Sequence, residues 1–293
     1  MTSYSSKQRS DALKIGFIGA GKVGFSLGKY FSLNNVKLTG YYSRTYRSAL
    51  KAAEFTETKA YNNLESLIKD SDTIFITTPD DAILSICEKI ISFDLREKII
   101  CHTSGSLSSN IFSNLNLLGV FGYSIHPMFP FPNKYTTYKN LKDAYFSIEG
   151  SREKLDDIKK LIQSLGNKFI VRDENKDSLY HLANVTVSNL VLSLLNLGCT
   201  YLQQCGVREE DALEALFPLI ESNISNLKSK GFVNALTGPI ERGDSGTVKQ
   251  HIEAIPKEDL QMYKILSKNL LEISKKKNSD RDYKRLQDYL GGI

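Results

Sequence analysis

The stretch Leu13-Lys14-Ile15-Gly16-Phe17-Ile18-Gly19-Ala20-Gly21-Lys22-Val23-Gly24 decides the fold of this chain. An apolar run leads directly into three glycines spaced as G-x-G-x-x-G, and an amphipathic segment follows. In such a turn the first glycine permits the bend, the second lets a pyrophosphate approach the backbone, and the third lets the helix pack on the strand. The helix N-terminus stabilises the phosphate charge with unpaired amides. The pattern predicts a dinucleotide-binding turn formed by Gly19, Ala20, Gly21, Lys22, Val23 and Gly24.

The next segment bears on which dinucleotide is bound. Residues 36–42 form a predicted second strand, and Ser43-Arg44-Thr45 follow it without a carboxylate. A carboxylate at this place binds the ribose 2′-hydroxyl of NAD, whereas an arginine pairs with the 2′-phosphate of NADP. We therefore expect NADP(H), recognised by Ser43, Arg44 and Thr45. The alternative is an arginine that lies in solvent at the start of a helix.

Composition places the chain among ordinary globular proteins. It has 293 residues, 41% hydrophobic and 24% charged, and a net charge of +5, which suits two domains and gives no sign of a nucleic-acid surface. The first 11 residues are polar, and the sequence shows no uninterrupted apolar run of membrane-spanning length, so we expect a cytoplasmic protein with no membrane partner. The 4 cysteines form no C-x-x-C pair, and we expect free thiols and no metal site.

Strand and helix patterns alternate through the first half of the chain. Apolar runs at 13–18, 36–42, 73–77, 98–102, 120–125 and 144–148 are predicted strands, and long helical periodicities follow Gly150, including one run from about Asp177 to Cys205. The fold class predicted is α/β, with a doubly wound parallel Rossmann sheet followed by an all-helical C-terminal domain. We expect an NADP-binding domain over 11–150 and a helical substrate and dimerisation domain over 151–293.

Loops that follow the strands should meet at the carboxyl edge of the sheet, where such folds bind ligands. Thr77, Thr78 and Pro79 follow one strand, and we expect their backbone to contact the cofactor ribose. Asp80 or Asp81 is expected to cap the helix that begins there. Ser104 follows the next strand and is a candidate for binding the nicotinamide or ribose, with an ordinary hydrogen-bonded turn as the alternative.

Polar residues on a helix in the second half suggest a substrate pocket. Helical spacing places His181, Asn184 and Ser188 on one stripe, with Asn189 beside it. Polar groups on an apolar helix either bond one another in the core or line a pocket in which a substrate supplies their partners. The pocket is the interpretation that we favour.

Two further places carry candidate chemistry. His126 lies at the end of a predicted strand and before Pro127, where it is either catalytic or a structural hydrogen-bonding group. The loop 235–248 contains three glycines, a proline and charged residues. Arg242 in this loop is expected to clamp a carboxylate or to pair with Asp244, and Asp244 or Thr247 is expected to cap the helix that includes His251.

Four motifs together resemble a known family. They are Tyr180-His181 with Ser188-Asn189, the loop 235–248, the segment His102-Thr103-Ser104-Gly105, and His126-Pro127. The chain resembles Rossmann-like oxidoreductases with a helical C-terminal domain of the 6-phosphogluconate-dehydrogenase type (DUF2520 type), and among them the alternative bacterial ketopantoate reductases. The resemblance implies NADPH as cofactor. It implies a proton donor early in the helical domain, where His181 is the nearest counterpart, and a substrate-binding asparagine, for which Asn189 is the candidate.

The expected reaction is hydride transfer from NADPH to a small 2-keto acid, with 2-dehydropantoate (ketopantoate) to pantoate, in pantothenate and coenzyme A biosynthesis, as first choice. His181 is the first candidate for the proton donor because imidazole titrates near neutral pH; His126 is the second and Lys176 the third. Asn184, Ser188, Asn189, Arg242 and Asp244 are the candidates for binding and orienting a small anionic substrate. The alternatives are an imine reductase similar to pyrroline-5-carboxylate reductases and a non-catalytic NADP(H)-binding sensor. Long apolar helices suggest a homodimer formed through the C-terminal half.

Overall fold

The computed structural model of the chain describes residues 13–173 and 176–291. Asp11 and Ala12, with which the predicted first domain begins, and Gly292 and Ile293, with which the second ends, lie outside the described residues. The chain divides into two compact units, Met1–Asn189 and Leu190–Ile293. The expected domain boundary near Gly150 stays a prediction.

The first unit is built on a sheet of eight strands in the order β3-β2-β1-β4-β5-β6-β7-β8. The strands are β1 (Ile15–Ile18), β2 (Leu38–Tyr42), β3 (Lys59–Tyr61), β4 (Thr73–Ile76), β5 (Ile99–His102), β6 (Phe121–Met128), β7 (Tyr145–Gly150) and β8 (Lys168–Val171). Strands β1 to β6 pair in parallel, β7 pairs antiparallel with β6, and β8 pairs in parallel with β7. The predicted fold class, a mostly parallel α/β sheet followed by a helical region, is confirmed.

The strands of the sheet bury both faces, as expected where helices cover each side. Phe17 and Phe75 lie in one apolar cluster, with Phe31 of the first helix and Tyr41 of β2. Ile18, Ile74 and Ile76 lie in a second cluster against the opposite set of helices. Because successive strand residues point to opposite faces, the unbroken apolar runs in the sequence are explained by burial on both sides.

The helices of the first unit lie between or beside these strands. They are α1 (Lys22–Leu33), α2 (Tyr46–Thr56), α3 (Leu64–Asp70), α4 (Asp80–Ile90), α5 (Ser113–Asn116), α6 (Leu155–Ser164) and α7 (Asp177–Val187), with 3₁₀ turns at Ser109–Phe112 and Thr137–Asp143. Helix α1 follows the glycine turn directly. The Asn63 side chain caps α3 by accepting from the Ser66 backbone N–H at 2.8 Å.

The second unit contains the remaining helices. They are α8 (Asn189–Gln204), α9 (Glu209–Ala235), α10 (Pro239–Arg242), α11 (Ser245–Ala254), α12 (Leu260–Lys277) and α13 (Lys284–Gly291). A small apolar core joins α10 to α13 and includes Ile240, Val248, Leu271 and Leu286. Helices α8 and α9 contribute little to a core, since Ala212 is their one buried residue among those that the structure describes.

Several local expectations need correction. The helical run predicted from Asp177 to Cys205 is two helices, because the backbone leaves helical geometry at Ser188, with φ −114° and ψ −80°. The short strands β3 and β8 and the helix α3 were not predicted. Each is short, and β8 is largely exposed, so none has the long apolar pattern that identifies an element from sequence.

The segment Asp177–Gln204 is apolar and exposed. By length and composition alone it is able to cross a membrane, with a mean hydropathy of 1.5 in a window of which 0% is buried. The segment is not an uninterrupted apolar run, since Asn184, Ser188 and Asn189 lie within it, and the expectation that the chain has no membrane partner stays a prediction. An exposed apolar surface of this kind marks either a membrane contact or a protein interface.

Candidate functional site

The glycine turn places the start of α1 at the carboxyl end of β1. Gly19 has a φ of +113°, which a residue with a side chain rarely adopts, and its N–H donates to the Tyr42 carbonyl at 2.8 Å. The Thr77 hydroxyl donates to the Gly19 carbonyl at 3.0 Å, which ties the turn to the end of β4. Gly24 packs on the same threonine side chain and leaves no room for a Cβ atom. Helix α1 therefore begins with its free amides facing the loops that follow β2 and β4.

A cavity of about 570 Å³ opens at this place. Nine of its lining residues were predicted to contact the cofactor: Gly19, Ala20, Gly21, Ser43, Arg44, Thr45, Thr77, Thr78 and Pro79. The other lining residues are Ile18, Tyr42, Ser48, Leu64, Asp81, Ala82, Ser85, Ile86 and Lys89. The cavity thus lies between the loops after β1, β2 and β4, which is the edge of the sheet where the sequence predicts the dinucleotide.

Four predicted cofactor contacts are not among the lining residues. Lys22 is exposed at the first position of α1, Val23 is half-buried against the core, and Gly24 is buried under Thr77. Ser104 is buried one strand farther along the sheet. Lys22, Val23 and Gly24 shape the start of the helix, so their contact with a cofactor stays a prediction.

The residues of the cavity fit a dinucleotide. The hydroxyl of Thr78 is buried and has no hydrogen-bond partner within the described part of the chain, so a ligand would satisfy it. A Cβ atom built on Gly21 would have the Thr77 carbonyl oxygen as its nearest neighbour, 3.9 Å away, so open space lies over the turn. Ser43, Arg44 and Thr45 follow β2 directly, and none of the three is acidic. The absence of a carboxylate at this place suits a 2′-phosphate.

The sequence predicts that Asp80 or Asp81 caps α4, and this prediction is wrong. The helix has Pro79 at its N-cap position and no side-chain cap. The Asp80 carboxylate instead accepts from the hydroxyls of Ser104 and Ser106, both at 2.7 Å. These bonds fasten the loop after β5 to the first turn of α4. Ser104 is therefore a bonded loop residue, and its contact with a cofactor stays a prediction.

His126 and Tyr180 form a closely packed pair. The distance from His126 Nδ1 to the Tyr180 hydroxyl is 2.6 Å, and the rings meet edge to face at 87°. Burial lowers the pKa of His126 to about 4, with contributions from the positive charge of Arg172 and from His181. His126 is therefore neutral near pH 7. Burial raises the pKa of Tyr180, so this phenol keeps its proton at neutral pH.

The Arg172 guanidinium packs on the face of the Tyr180 ring. Its guanidinium carbon lies 4.1 Å from the centroid of the Tyr180 ring. The Arg172 Nε donates to the Ser147 hydroxyl at 2.7 Å and the Nη1 donates to the Asp177 carboxylate at 2.7 Å. The side chain is 7% exposed, so the charge acts across a largely dry environment. A cation fixed on a ring face in this way stabilises negative charge on the ring.

Glu149 completes the charged cluster on β7. It is 1% exposed and accepts from the backbone N–H of Ser109 at 2.9 Å and from its hydroxyl at 2.6 Å. One of its oxygens lies 3.9 Å from Arg172 Nη2. A buried carboxylate needs a cation and hydrogen bonds, and these contacts supply both.

The polar residues predicted on α7 and after it lie outside the core. His181 is exposed, and Lys176 is exposed and pairs with Asp173 at 3.4 Å. The Asn184 side chain donates to the Tyr180 carbonyl at 2.8 Å. The Ser188 hydroxyl lies 2.7 Å from the Asn184 carbonyl and 3.0 Å from the Asn189 side-chain oxygen. Because the backbone leaves helical geometry at Ser188, the stripe predicted along one helix is interrupted there, and the roles of these residues in catalysis and substrate binding stay predictions.

In the second unit, Asp244 caps α11 as expected. Its carboxylate accepts from the Thr247 backbone N–H at 3.0 Å and from the Thr247 hydroxyl at 2.7 Å. Those bonds, and then the charge of Arg242, lower the pKa of Asp244. Arg242 itself is exposed. The substrate-binding roles of Arg242 and Asp244 stay predictions.

Sequence reasoning missed Arg172 and Glu149 and quoted Tyr180 only as part of a motif. A charged residue within the apolar run Phe146-Ser147-Ile148-Glu149-Gly150 was the available signal, since a carboxylate inside a buried strand needs a partner. Nothing in the spacing of the chain connects residue 149 to residue 172, because their contact forms only when β7 and β8 pair.

Two parts of the chain match known domain families. Residues 1–127 match the Rossmann-like domain, and residues 144–270 match DUF2520, a domain of unknown function. No curated protein matches the chain.

Solved structures share the fold over most of their length. Protein TM1727 from Thermotoga maritima is 27% identical, with a TM-score of 0.72 over 90% of this chain and 99% of that chain. BF3122 from Bacteroides fragilis, a candidate NADP oxidoreductase, is 22% identical, with a TM-score of 0.64 over 89% and 98%. A reductive aminase from Aspergillus terreus, in complex with NADPH and ethyl-5-oxohexanoate, is 15% identical, with a TM-score of 0.60 over 96% and 92%. The chain therefore has the fold of proteins that include an NADPH-bound reductase.

Replacing Gly21 should weaken cofactor binding without affecting the fold. A methyl group in Gly21→Ala has room in the structure but occupies the space over the turn, so we expect NADPH affinity to fall about tenfold or more while the melting temperature stays within about a degree. Isothermal titration calorimetry and thermal melting would measure the two effects.

Gly28→Ala, within α1, is the contrast to Gly21→Ala at the N-cap of that helix. Its methyl group would collide with the hydroxyl of Tyr41, which is fully buried, so we expect a loss of about 1–3 kcal/mol in the free energy of unfolding. Equal loss of stability in both variants would contradict the assignment of the cavity.

Proposed function

We propose that the chain is an NADPH-dependent oxidoreductase that reduces a small 2-keto acid, with 2-dehydropantoate to pantoate as the first choice. The observation that carries this proposal is the arrangement at the carboxyl edge of the sheet. A phosphate-binding turn and an arginine after β2 line one cavity, and the His126 and Tyr180 pair lies at the end of β6 in the same unit. The NADPH bound by a reductase of similar fold supports the same interpretation.

The proposed cofactor contacts follow from the cavity. The amides at the start of α1 would bind the pyrophosphate, and Ser43 and Arg44 would bind the 2′-phosphate. Bound NADPH supplies a hydride to the carbonyl carbon of the substrate. The chain must then supply a proton for the oxygen and bind the carboxylate. Asn184, Ser188, Asn189, Arg242 and Asp244 are the proposed substrate contacts.

The three proton donors proposed from the sequence differ in exposure and in the groups that they contact. His126 has a pKa of about 4, so near neutral pH it carries no imidazolium proton to give. Lys176 is exposed and paired with Asp173. His181 is exposed and follows Tyr180 directly in α7. Of the three, His181 is exposed and lies next to Tyr180, so it stays the first candidate from the sequence.

Imine reduction is the second candidate. A reductive aminase shares the fold over 96% of this chain. An iminium substrate already carries its proton, so such an enzyme needs no dedicated acid for the step. Keto acid and imine reduction thus differ in whether a proton donor is required.

One assay separates these functions. We expect the purified protein to oxidise NADPH with ketopantoate, followed by absorbance at the nicotinamide band, and to do so faster than with pyrroline-5-carboxylate or simple 2-keto acids. Preference for the cyclic imine would favour the second candidate. Tight NADPH binding with no turnover of any substrate would instead indicate a cofactor-binding sensor.

Arg44 is expected to determine the preference for NADPH over NADH. We expect Arg44→Ala to weaken NADPH binding by about tenfold or more and to leave NADH binding unchanged, because only NADPH carries the 2′-phosphate. Arg47→Ala is the matched control, since Arg47 is exposed and is not among the residues that line the cavity. An equal loss for both cofactors in Arg44→Ala would contradict the NADPH assignment. Fluorescence titration of each cofactor would measure these affinities.

We also propose that the chain forms a homodimer through α8 and α9. Large apolar side chains on these helices are exposed, among them Leu192 at 66%, Leu219 at 61% and Ile224 at 60%. Helices are stabilised mainly by packing of an apolar face, so a cover for this surface is required. Polar side chains such as Asn196, Thr200 and Gln203 interrupt α8, which suits a protein partner better than the interior of a bilayer.

The dimer has a direct test. We expect light scattering on the purified protein to give twice the mass of one chain, and we expect Ile224→Glu to shift the mass toward the monomer, because burying the new charge is costly. Leu117→Glu is the control, since Leu117 is 86% exposed and lies in the first unit. A monomeric wild-type protein would contradict the proposal.

A further inference from the structure

We propose that Tyr180 is the catalytic acid of this reductase, and that His126 and Arg172 are its positioning residues. The inference rests on the proposed reduction of a carbonyl group. It goes beyond the candidates found in the sequence, because it assigns the proton to a phenol rather than to an imidazole or an amine.

The first support is the place of the phenol. Tyr180 is half-buried, and its hydroxyl reaches the end of β6 through the 2.6 Å contact with His126. A Cβ atom built on Gly105 would lie 2.9 Å from the His126 ring, so the backbone of the loop after β5 lies against that ring. The loop is in turn bonded to Asp80, the first residue of α4, next to the cavity. The phenol therefore lies beside the loops that follow β4 and β5, where the reactive end of a dinucleotide is expected.

The second support is the environment of the ring. A general acid must hold its proton in the resting state and release it as negative charge develops on the substrate. Burial keeps the Tyr180 phenol protonated by raising its pKa, while Arg172 acts in the opposite sense and favours the phenolate. The guanidinium lies 4.1 Å from the ring centroid and therefore stabilises the charge that proton release creates.

Arg172 is fixed before the reaction begins. Its bonds to Ser147 and Asp177 at 2.7 Å, and its 3.9 Å approach to the buried carboxylate of Glu149, hold the guanidinium in one place. A preorganised charge costs little reorganisation when the substrate reacts, and this is the main advantage of an electrostatic site. The carboxylates of Asp177 and Glu149 both lie near this guanidinium, so each of them has a charged partner.

His126 acts on Tyr180 through one hydrogen bond. The proposal assigns the proton of the neutral imidazole to Nδ1, so that Nδ1–H donates to the phenol oxygen and the phenol proton is free to point at the substrate. Packing against Gly105 keeps the ring in this orientation. His126 thus positions the acid and connects it to solvent without becoming an imidazolium.

The step balances as follows. As the carbonyl carbon takes up the hydride, the electron pair of the carbonyl bond moves to the oxygen, and that oxygen takes the Tyr180 proton. The phenolate takes the Nδ1 proton of His126, while His126 takes a proton from water at Nε2. A second tautomer change with solvent restores the starting state, so one hydride and one solvent proton are consumed for each alcohol formed.

The test compares two histidine–tyrosine pairs of the same chain. The Tyr263 hydroxyl lies 3.0 Å from His251 Nδ1, and the two rings meet at 87°. This second pair has nearly the same geometry as the Tyr180 pair but lies outside the proposed site. We expect Tyr180→Phe to lower kcat for the keto acid by about 100-fold or more, with KM and NADPH affinity changed less than about threefold. We expect Tyr263→Phe to leave all three values unchanged. A solvent deuterium isotope effect on kcat should accompany proton transfer in the wild type.

A second readout does not depend on activity. The chain has 4 histidines, so their ring nitrogens give a simple ¹⁵N spectrum. We expect Tyr180→Phe to shift the Nδ1 resonance of His126 and to leave the others in place. For the positioning role, His126→Asn, which keeps a donor near Nδ1, should retain more activity than His126→Ala.

The outcomes separate this inference from the proposed function. If the wild type reduces keto acids and Tyr180→Phe retains kcat within threefold, or if His181→Ala causes the larger loss, Tyr180 is not the acid although the proposed function stands. An unchanged His126 resonance in Tyr180→Phe would overturn the hydrogen bond on which the assignment depends. If the wild type reduces no carbonyl substrate while it binds NADPH, the proposed function and this inference both fail.

Discussion

The contact between Thr77 and the glycine turn is the constraint on which the rest of the site depends. The Thr77 hydroxyl holds the Gly19 carbonyl at 3.0 Å, and Gly24 packs on the same side chain. This contact draws the end of β4 against the end of β1. Because β2 lies on the other side of β1, the loops after β2 and β4 are separated there, and the cavity opens between them. A larger residue at Gly19 or Gly24 would collide with Thr77 and push the ends of β1 and β4 apart. The turn would then no longer have the shape that a pyrophosphate needs.

From that point a series of short contacts extends along the sheet edge. Asp80 at the start of α4 accepts from Ser104 after β5, and the neighbouring Gly105 lies against His126 on β6. His126 contacts Tyr180, which lies on Arg172. Each contact joins the loop after one strand to the next, so the geometry of the proposed acid depends on the strand order. The proposed site therefore draws on residues that are as far apart in the sequence as 77 and 180.

The glycine turn and the position of Arg44 beside it were predictable because their signals are local. A strand, three spaced glycines and a following helix lie within twelve residues, and the absence of a carboxylate after β2 is read directly from the sequence. The Arg172 cluster was not predictable in this way. Its partners come from β7 and α7, and long-range pairing of side chains leaves no periodic pattern in the sequence. The break at Ser188 was missed for a related reason, since the apolar pattern continues across it and only the backbone angles reveal two helices.

The charged cluster also shows why stability is a poor guide to the purpose of these residues. Burying Glu149 and Arg172 costs several kcal/mol of desolvation for each ion, and the attraction between them repays this only in part. Apolar residues of the same volume would pack the space between β7 and β8 at less cost. A charge that is expensive to bury and is held in one orientation by Ser147 and Asp177 is better explained by the proposed reaction than by packing. In the proposed reaction the ring of Tyr180, 4.1 Å from that charge, is the group that the charge acts on.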